Sequence, residues 1–331
     1  MTDAKYWTSL SDGRIACELC PQACVISEGG NGVCLGRVNR GGSLRAENFS
    51  QCVSVAMDPI ERKPLYHVCP GRSVLSIACN GCNLRCDFCQ NWSISQMRAQ
   101  TTPLPPADLV KLALESGSFG VAYTYTEPLV WFEYLLQAGA LVRDSGLKNI
   151  LVTNGILNEA PMRELLPLVD AMNIDLKSMS QSFYRDHCHI DGAAAVQRTI
   201  RLAAESCFIE VTNLIIPGLN DSDEDLRELV AFVADVNPAI PLHFTRYFPT
   251  YKMDAPATPA ETLERARDIA RERLKYVYLG NARHEDDANT YCPDDGHLLV
   301  ARTGYSAEVV GIEGGNCAAC GRPADFLWCD E

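Results

Sequence analysis

The 331-residue sequence predicts an α/β fold, an open, partial (β/α)6 barrel of the TIM type with a small metal-binding appendage at each end. Three observations carry that expectation. Apolar, strand-like runs alternate with amphipathic helical runs over residues 73–281, which implies right-handed βαβ units and a parallel sheet. The repeats number about six, too few to close an eight-stranded barrel. Unusual polar residues fall where the strands should end, and C-terminal strand ends are where such barrels carry their sites.

Residues 1–72 come first. They contain Cys17-Glu18-Leu19-Cys20-Pro21-Gln22-Ala23-Cys24 and then Gly29-Gly30-Asn31-Gly32-Val33-Cys34. Four thiols so close in sequence (Cys17, Cys20, Cys24 and Cys34) fit a closed four-coordinate site, with the glycines permitting tight turns. Zinc and an auxiliary iron–sulfur cluster both suit this ligand set, and zinc is the leading expectation. A segment this short builds little core of its own, so a metal staple is physically sensible. The run from Asp58 to His67 then leads into the first barrel strand, with His67 read as a packed or lid residue.

Strands are expected at 74–79, 119–125, 149–153, 170–175, 208–216, 240–245 and 276–280. Helices are expected at 107–116, 129–145, 159–167, 193–206, 222–236 and 259–274. The first strand runs into Cys82-Asn83-Leu84-Arg85-Cys86-Asp87-Phe88-Cys89, a CxxxCxxC loop. Its three thiolates can each take one iron of a cubane [4Fe–4S] cluster, leaving one iron open for a substrate or cofactor. A conventional ferredoxin loop supplies a fourth cysteine close by, whereas the next one after Cys89 is Cys188. Strand two ends in Thr126-Glu127-Pro128, strand three in Thr153-Asn154-Gly155, and strand four runs into Asp175-Leu176-Lys177. Strand five ends in Ile216-Pro217-Gly218-Leu219-Asn220-Asp221, and strand six contains His243. Taken singly, these groups read as a helix cap, a turn and a surface ion pair. Their recurrence at strand ends beside the cysteine loop argues for a site.

Residues 282–331 close the chain. Cys292-Pro293-Asp294-Asp295-Gly296 and Cys317-Ala318-Ala319-Cys320-Gly321 are spaced like the two knuckles of a zinc ribbon, with Asp295 standing in for one thiol. A carboxylate can ligate zinc, His297 is a further candidate ligand, and Cys329 lies near enough in sequence to join the group. The balance of 29 basic and 42 acidic residues, net −13, counts against a nucleic-acid partner. With no secretory n-region and no long apolar span, the expected location is the cytoplasm, away from membranes. In that reducing compartment the sixteen cysteines read as metal ligands rather than disulfides. Cys52, Cys69, Cys79, Cys188 and Cys207 lie outside the groups and read mostly as small buried hydrophobes.

The cysteine loop resembles the CxxxCxΦC hallmark of radical S-adenosylmethionine (SAM) enzymes, with Phe88 as the aromatic Φ. Thr126-Glu127-Pro128 falls where those enzymes carry a Gly-Gly-Glu-Pro motif that binds the SAM amino group. Thr153-Asn154-Gly155 and Asp175-Leu176-Lys177 look like motifs of the pyruvate formate-lyase activating enzymes, a likeness running over about residues 73–250. A closer resemblance, over nearly the whole chain, is to the radical SAM component of the AmmeMemoRadiSam system. It rests on the N-terminal CxLCPxxC, Asp58-Pro59-Ile60-Glu61, Cys89-Gln90-Asn91-Trp92-Ser93-Ile94-Ser95, the run Tyr123 to Pro128, and the run Val211 to Asp221.

The resemblance implies a [4Fe–4S] cluster on Cys82, Cys86 and Cys89, and SAM beside it among Phe88, Thr126, Glu127, Asn154, Asp175, Lys177 and His243. It also implies a one-electron donor such as flavodoxin or ferredoxin, a small-molecule or protein substrate, and Memo-like and Amme-like companions. Two departures bear on the activating-enzyme analogy. Thr126 stands where glycine is usual, and Val152 stands where those enzymes offer an acidic residue to a monovalent cation. The reaction the resemblance implies is reductive cleavage of SAM to a 5′-deoxyadenosyl radical that abstracts hydrogen from a substrate. The rival readings are a glycyl-radical-enzyme activase and a non-catalytic metal scaffold or redox sensor; the intact cysteine triad and Glu127 argue against the second. A tRNA-modifying role is disfavoured by the acidic charge.

Overall fold

The computed structural model describes residues 2–281 and 288–329, so the expected boundary at 281/282 abuts a stretch outside the described residues. Seven parallel strands form the body of one sheet: β1 (Ser73–Cys79), β2 (Gly120–Tyr123), β3 (Lys148–Thr153), β4 (Ala171–Asp175), β5 (Phe208–Ile215), β6 (Leu242–Arg246) and β7 (Val277–Gly280). They pair in chain order, each neighbour parallel to the last. The six crossovers carry α1 (Pro106–Glu115), α2 (Phe132–Asp144), α3 (Glu159–Leu165), α4 (Ala193–Ala204), α5 (Asp223–Val236) and α6 (Ala260–Arg271). Strand and helix periodicities in the sequence thus locate each unit. The helix expected from residue 129 begins at Phe132, because Pro128–Trp131 forms a 3-10 turn capped by the Glu127 side chain.

The sheet does not close into a barrel. Its order runs from β7 at one edge to the short strand Thr102–Pro103 at the other. Next to β1 lies an antiparallel strand, Gln51–Pro59, so part of the segment expected to stand apart as residues 1–72 joins the main sheet. That strand carries exposed Val55 and Met57 among polar residues, so it lacks the continuous apolar run of a buried parallel strand.

Beyond it, the chain turns into the N-terminal end of the sheet. Ile60, Leu65 and Val68 pack there on Val74, Ala122, Ile150 and Ala171, filling the floor of the lumen. The C-terminal appendage covers the same end. Leu327 donates its N–H to the His67 carbonyl (2.8 Å), Tyr276 Oη donates to Asp325 Oδ2 (2.7 Å), and the Phe326 ring stacks on His67 at 4.4 Å. His67 is therefore packed, as expected. A disulfide between Cys69 and Cys329 clasps the tail, with Cα atoms 5.3 Å apart. This corrects both the reading of Cys69 as a free buried thiol and the grouping of Cys329 with the C-terminal ligands. The two partners lie 260 residues apart and are aligned only by the Val68–Leu327 bridge, so no local spacing announces them.

The N-terminal appendage sits instead beside the mouth. Asn158, just after β3, donates its backbone N–H to Leu19 O (3.0 Å) and its amide to Glu18 O (2.7 Å). Arg37, fully buried, pairs with Glu133 at the start of α2.

Candidate active site

The loop after β1 is fastened on several sides. Arg85 and Asp87 donate backbone N–H groups to the carbonyls of Cys188 and His187, each at 3.0 Å. Gln96 Nε2 reaches Cys86 O (3.0 Å), and Gln22 Nε2 reaches Asn83 O (2.9 Å). Around the sulfurs stand the donors that thiolates need: Leu84 N–H at 3.3 Å and Asn154 Nδ2 at 3.7 Å from Cys82 Sγ, and Ser95 Oγ at 3.2 Å from Cys89 Sγ. Three neighbouring thiols, two of them with N–H or O–H groups at hydrogen-bond distance, suit an iron–sulfur cluster, whose properties depend on hydrogen bonds to sulfur. Phe88 is buried against Phe183, with ring centroids 6.0 Å apart, and anchors the loop from below.

Glu127 is wholly buried at the end of β2. Its Oε1 accepts from Leu129 N–H (3.0 Å) and Thr153 Oγ1 (2.6 Å), and its Oε2 accepts from Asn154 N–H (2.8 Å). Burial pushes its carboxyl up to about 7 against the pull of these donors. Each carboxylate oxygen can accept about two bonds, so Oε2 retains room for one more donor. Asn154 Nδ2 bonds Asn83 Oδ1 (2.8 Å), which ties the β3 end to the cysteine loop. Thr126 Oγ1 turns back to Cys79 O (2.8 Å), holding β1 and β2 together.

Across the mouth, Lys177 Nζ meets Asp175 Oδ2 at 2.8 Å. Burial alone would lower the Lys177 ammonium, but the Asp175 carboxylate and the Cys86 and Cys188 sulfurs outweigh it and hold the pKa well above the usual lysine range. The loop carrying this pair is braced by Asn213 Nδ2 to Leu176 O (2.8 Å) and Asn220 Nδ2 to Lys177 O (2.7 Å). The run Val211 to Asp221 thus supports the mouth.

The structure brings together Cys82, Cys86, Cys89, Phe88, Thr126, Glu127, Asn154, Asp175 and Lys177. His243 is the exception. It lies near the N-terminal start of β6, buried, with its Nε2 2.6 Å from Glu210 Oε2 and its ring against Tyr66 and Tyr278. It belongs to the floor of the lumen rather than to the cofactor mouth. Membership of a strand says nothing of height along it, and His243 was placed on strand six without a position.

Two features escaped the sequence. Cys188 lies against Cys86 although it follows Cys89 by about a hundred residues, so no spacing rule reaches it. Asp58, Lys63 and Tyr125 meet inside the lumen: Lys63 Nζ is 2.7 Å from Asp58 Oδ2 and 4.3 Å from the Tyr125 ring centre, and the Tyr125 hydroxyl donates to the same carboxylate. The sequence marks Asp58-Pro59-Ile60-Glu61 as a motif, but charge in a sequence gives no sign of burial.

The terminal cysteine groups differ. Ligand atoms of Cys292, Asp295, Cys317 and Cys320 all lie within 4.8 Å of one another, the only such group of three or more among the described residues. His297 contributes its backbone N–H to Asp295 Oδ1 (2.9 Å), orienting that carboxylate. Cys17, Cys20, Cys24 and Cys34 line a separate small cavity that opens to solvent on one side.

Residues 76–233 match the radical SAM superfamily. The chain belongs to that superfamily, whose cofactors are a [4Fe–4S] cluster and SAM. It is 40% identical to the uncharacterized protein MJ0808 of Methanocaldococcus jannaschii, over 99% of this chain and 100% of that one. It is also 23% identical to the pyruvate formate-lyase 1-activating enzyme of Escherichia coli K12, over 57% of this chain and 85% of that protein. The fold is shared with Streptococcus suis SuiB bound to S-adenosylmethionine, at a TM-score of 0.50 and 14% identity, covering 65% of this chain and 50% of that one. Among the described residues no helix is long and apolar enough to cross a membrane.

Proposed function

We propose that the chain reductively cleaves SAM at a cluster on Cys82, Cys86 and Cys89 and uses the resulting radical to abstract hydrogen from a substrate carbon. The observation that carries this reading is the convergence, at one end of the sheet, of the three-cysteine loop with buried Glu127 and Asn154. A [4Fe–4S] cluster held by Cys82, Cys86 and Cys89 would supply the single electron for reductive cleavage of the SAM sulfonium. Glu127 Oε2 would take the SAM ammonium in a charge-assisted hydrogen bond, and Lys177 or backbone N–H groups would meet the SAM carboxylate. Thr153 and the Asn154 N–H fix the carboxylate of Glu127, while Asn154 holds Asn83 and so the cysteine loop. The apolar floor of Ile60, Leu65 and Val68 keeps water from entering through the far end of the lumen. Anaerobic reconstitution with SAM and a reductant, followed by mass spectrometry, should yield 5′-deoxyadenosine; none from a cluster-loaded chain overturns the reading.

Glu127→Gln removes the charge but keeps an acceptor, so SAM binding is expected to weaken by about 1.5–3 kcal/mol. The pH dependence has a defined sign. A carboxyl raised to about 7 must lose its proton to receive an ammonium, so SAM affinity rises with pH through that value and levels off above it. Glu127→Gln should flatten the profile, read by equilibrium binding to the cluster-loaded protein. An unchanged affinity and slope would remove Glu127 from the SAM site.

A protein substrate is the second reading, favoured by the position of the C-terminal appendage at the floor, away from the mouth. The motifs shared with the AmmeMemoRadiSam group make Memo-like and Amme-like proteins the partners to try, with a flavodoxin- or ferredoxin-type donor. A glycyl doublet appearing on a partner in step with 5′-deoxyadenosine, followed by electron paramagnetic resonance, establishes it. Its absence with every companion, while added metabolites stimulate SAM cleavage, favours a small molecule.

The C-terminal group is proposed to hold zinc through Cys292, Asp295, Cys317 and Cys320. Cys317→Ser with Cys320→Ser should release about one zinc per chain. Equal zinc in the double variant and the parent would reject the site.

A further inference from the structure

The cavity bounded by Cys17, Cys20, Cys24 and Cys34 is lined as well by Arg37 and by Asn83 of the active-site loop. A single zinc ion holds its sulfurs at about 2.3 Å, which places thiolates less than about 4 Å apart. The C-terminal group is drawn in on that scale, with all four ligand atoms within 4.8 Å. No three of the N-terminal thiols are, and the same holds for Cys82, Cys86 and Cys89. Four thiols spread around a cavity match a cubane, which assigns one thiolate to each of four irons.

A second observation points to an occupant. Arg37 is 1% exposed, its Nη1 lies 3.7 Å from Cys17 Sγ, and its Nε is buried with no hydrogen-bond partner. An orphaned guanidinium N–H is costly unless something accepts from it, and the sulfides of an anionic cluster are such acceptors. Val33 N–H at 3.5 Å from Cys24 Sγ adds a further donor to sulfur.

The two cysteine sets are also in contact. A Cβ on Gly81 would overlap the Cys34 carbonyl oxygen, so the backbone before Cys82 lies directly on the N-terminal loop. Arg85 donates to Val33 O, and Asn83, which lines the cavity, is the residue after Cys82.

We propose that Cys17, Cys20, Cys24 and Cys34 hold a second [4Fe–4S] cluster that relays single electrons to the cluster at Cys82, Cys86 and Cys89. The inference rests on the radical SAM reading of those three residues. In the relay a reduced ferredoxin- or flavodoxin-class donor gives one electron to the second cluster, taking it from the 2+ to the 1+ state. That cluster returns to 2+ as the SAM-site cluster goes from 2+ to 1+, and no bond or proton changes hands. Cys20 and Cys24 are partly exposed and Val25 beside them is 51% exposed, which gives the donor an accessible face.

The test uses the full chain, reconstituted anaerobically. Iron and sulfide should approach about eight each per chain, falling to about four in Cys20→Ser with Cys24→Ser and to about four in the Cys82→Ala, Cys86→Ala, Cys89→Ala variant. The reduced triple variant should show a [4Fe–4S]+ electron paramagnetic resonance signal that SAM does not perturb. The iron lost from the double variant gives the same count by subtraction should the triple variant fail to fold. About four irons in the parent, or a second zinc in place of iron, overturns the second cluster. The ratio of donor-driven to dithionite-driven SAM cleavage should drop by about tenfold in the double variant, and an unchanged ratio overturns the relay. Failure of the radical SAM reading has a different appearance: no SAM-perturbed signal in the double variant.

Discussion

Replacing Cys82, Cys86 and Cys89 together with Ala is expected to abolish 5′-deoxyadenosine formation. The loss should be complete because the three thiols are the only cysteines on the loop, and that loop is pinned by bonds to Cys188 O, His187 O and Ile94 O. Cys188, the one further thiol lying against Cys86, would leave a cluster a single protein ligand once the three are gone. Circular dichroism should show the secondary structure retained, since the helices and strands are built around a core of which these loop residues are a small part. Product from the reconstituted triple variant, at any rate above the protein-free control, would place the chemistry elsewhere in the chain.

The second large effect is on stability. Glu210 is fully buried and accepts from His67 N–H (2.7 Å) through Oε1, with Oε2 2.6 Å from His243 Nε2. Burial raises the Glu210 carboxyl, but its bonds and charge interactions with His243 and His67 outweigh that and hold it below the ordinary value of 4.5. Removing one partner of a buried pair leaves the other uncompensated, so His243→Leu should destabilise the protein by about 3–5 kcal/mol. Glu210→Gln in the same chain should recover part of that loss, because an amide is cheaper to bury than an unpaired carboxylate. The sign with pH follows from the lowered carboxyl: this stability is present above about 4.5 and is lost as pH falls through the folded value. Chemical denaturation of parent and variants checks both statements. SAM affinity per folded molecule should be unchanged, because the pair lies at the opposite end of the sheet from Glu127. A His243→Leu protein of parental stability that fails to bind SAM would return His243 to the mouth.

Most of the fold was legible because a parallel βα unit writes two periods into its sequence. β5 and α5 were located to within a residue or two by a buried run followed by an amphipathic one. The antiparallel strand Gln51–Pro59 was not, since with one solvated face it lacks the continuous apolar run of a buried strand. The cysteine loop, Glu127, Asn154, Asp175 and Lys177 could be placed because each sits at a strand end, where topology alone dictates the height. His243 and Cys188 mark the limit of that logic. One needed its position along a strand, and the other needed a contact between segments about a hundred residues apart. The Cys69–Cys329 clasp is the same case at greater separation, and the Asp58–Lys63 pair shows that charge in a sequence does not reveal depth.

Gly81 has a φ of +107° and presses its Cα against the Cys34 carbonyl. The matched region of residues 76–233 is therefore not a detachable module in this protein. A fragment starting at the first barrel strand would lose the surface against which the active-site loop is moulded, along with the Asn48 bonds that brace Val130 and Trp131 just beyond Glu127. Excision of a minimal catalytic core should fail, and loss of the N-terminal segment in evolution would strand the active site. The opening fifty residues thus form part of the wall against which the reactive loop is held.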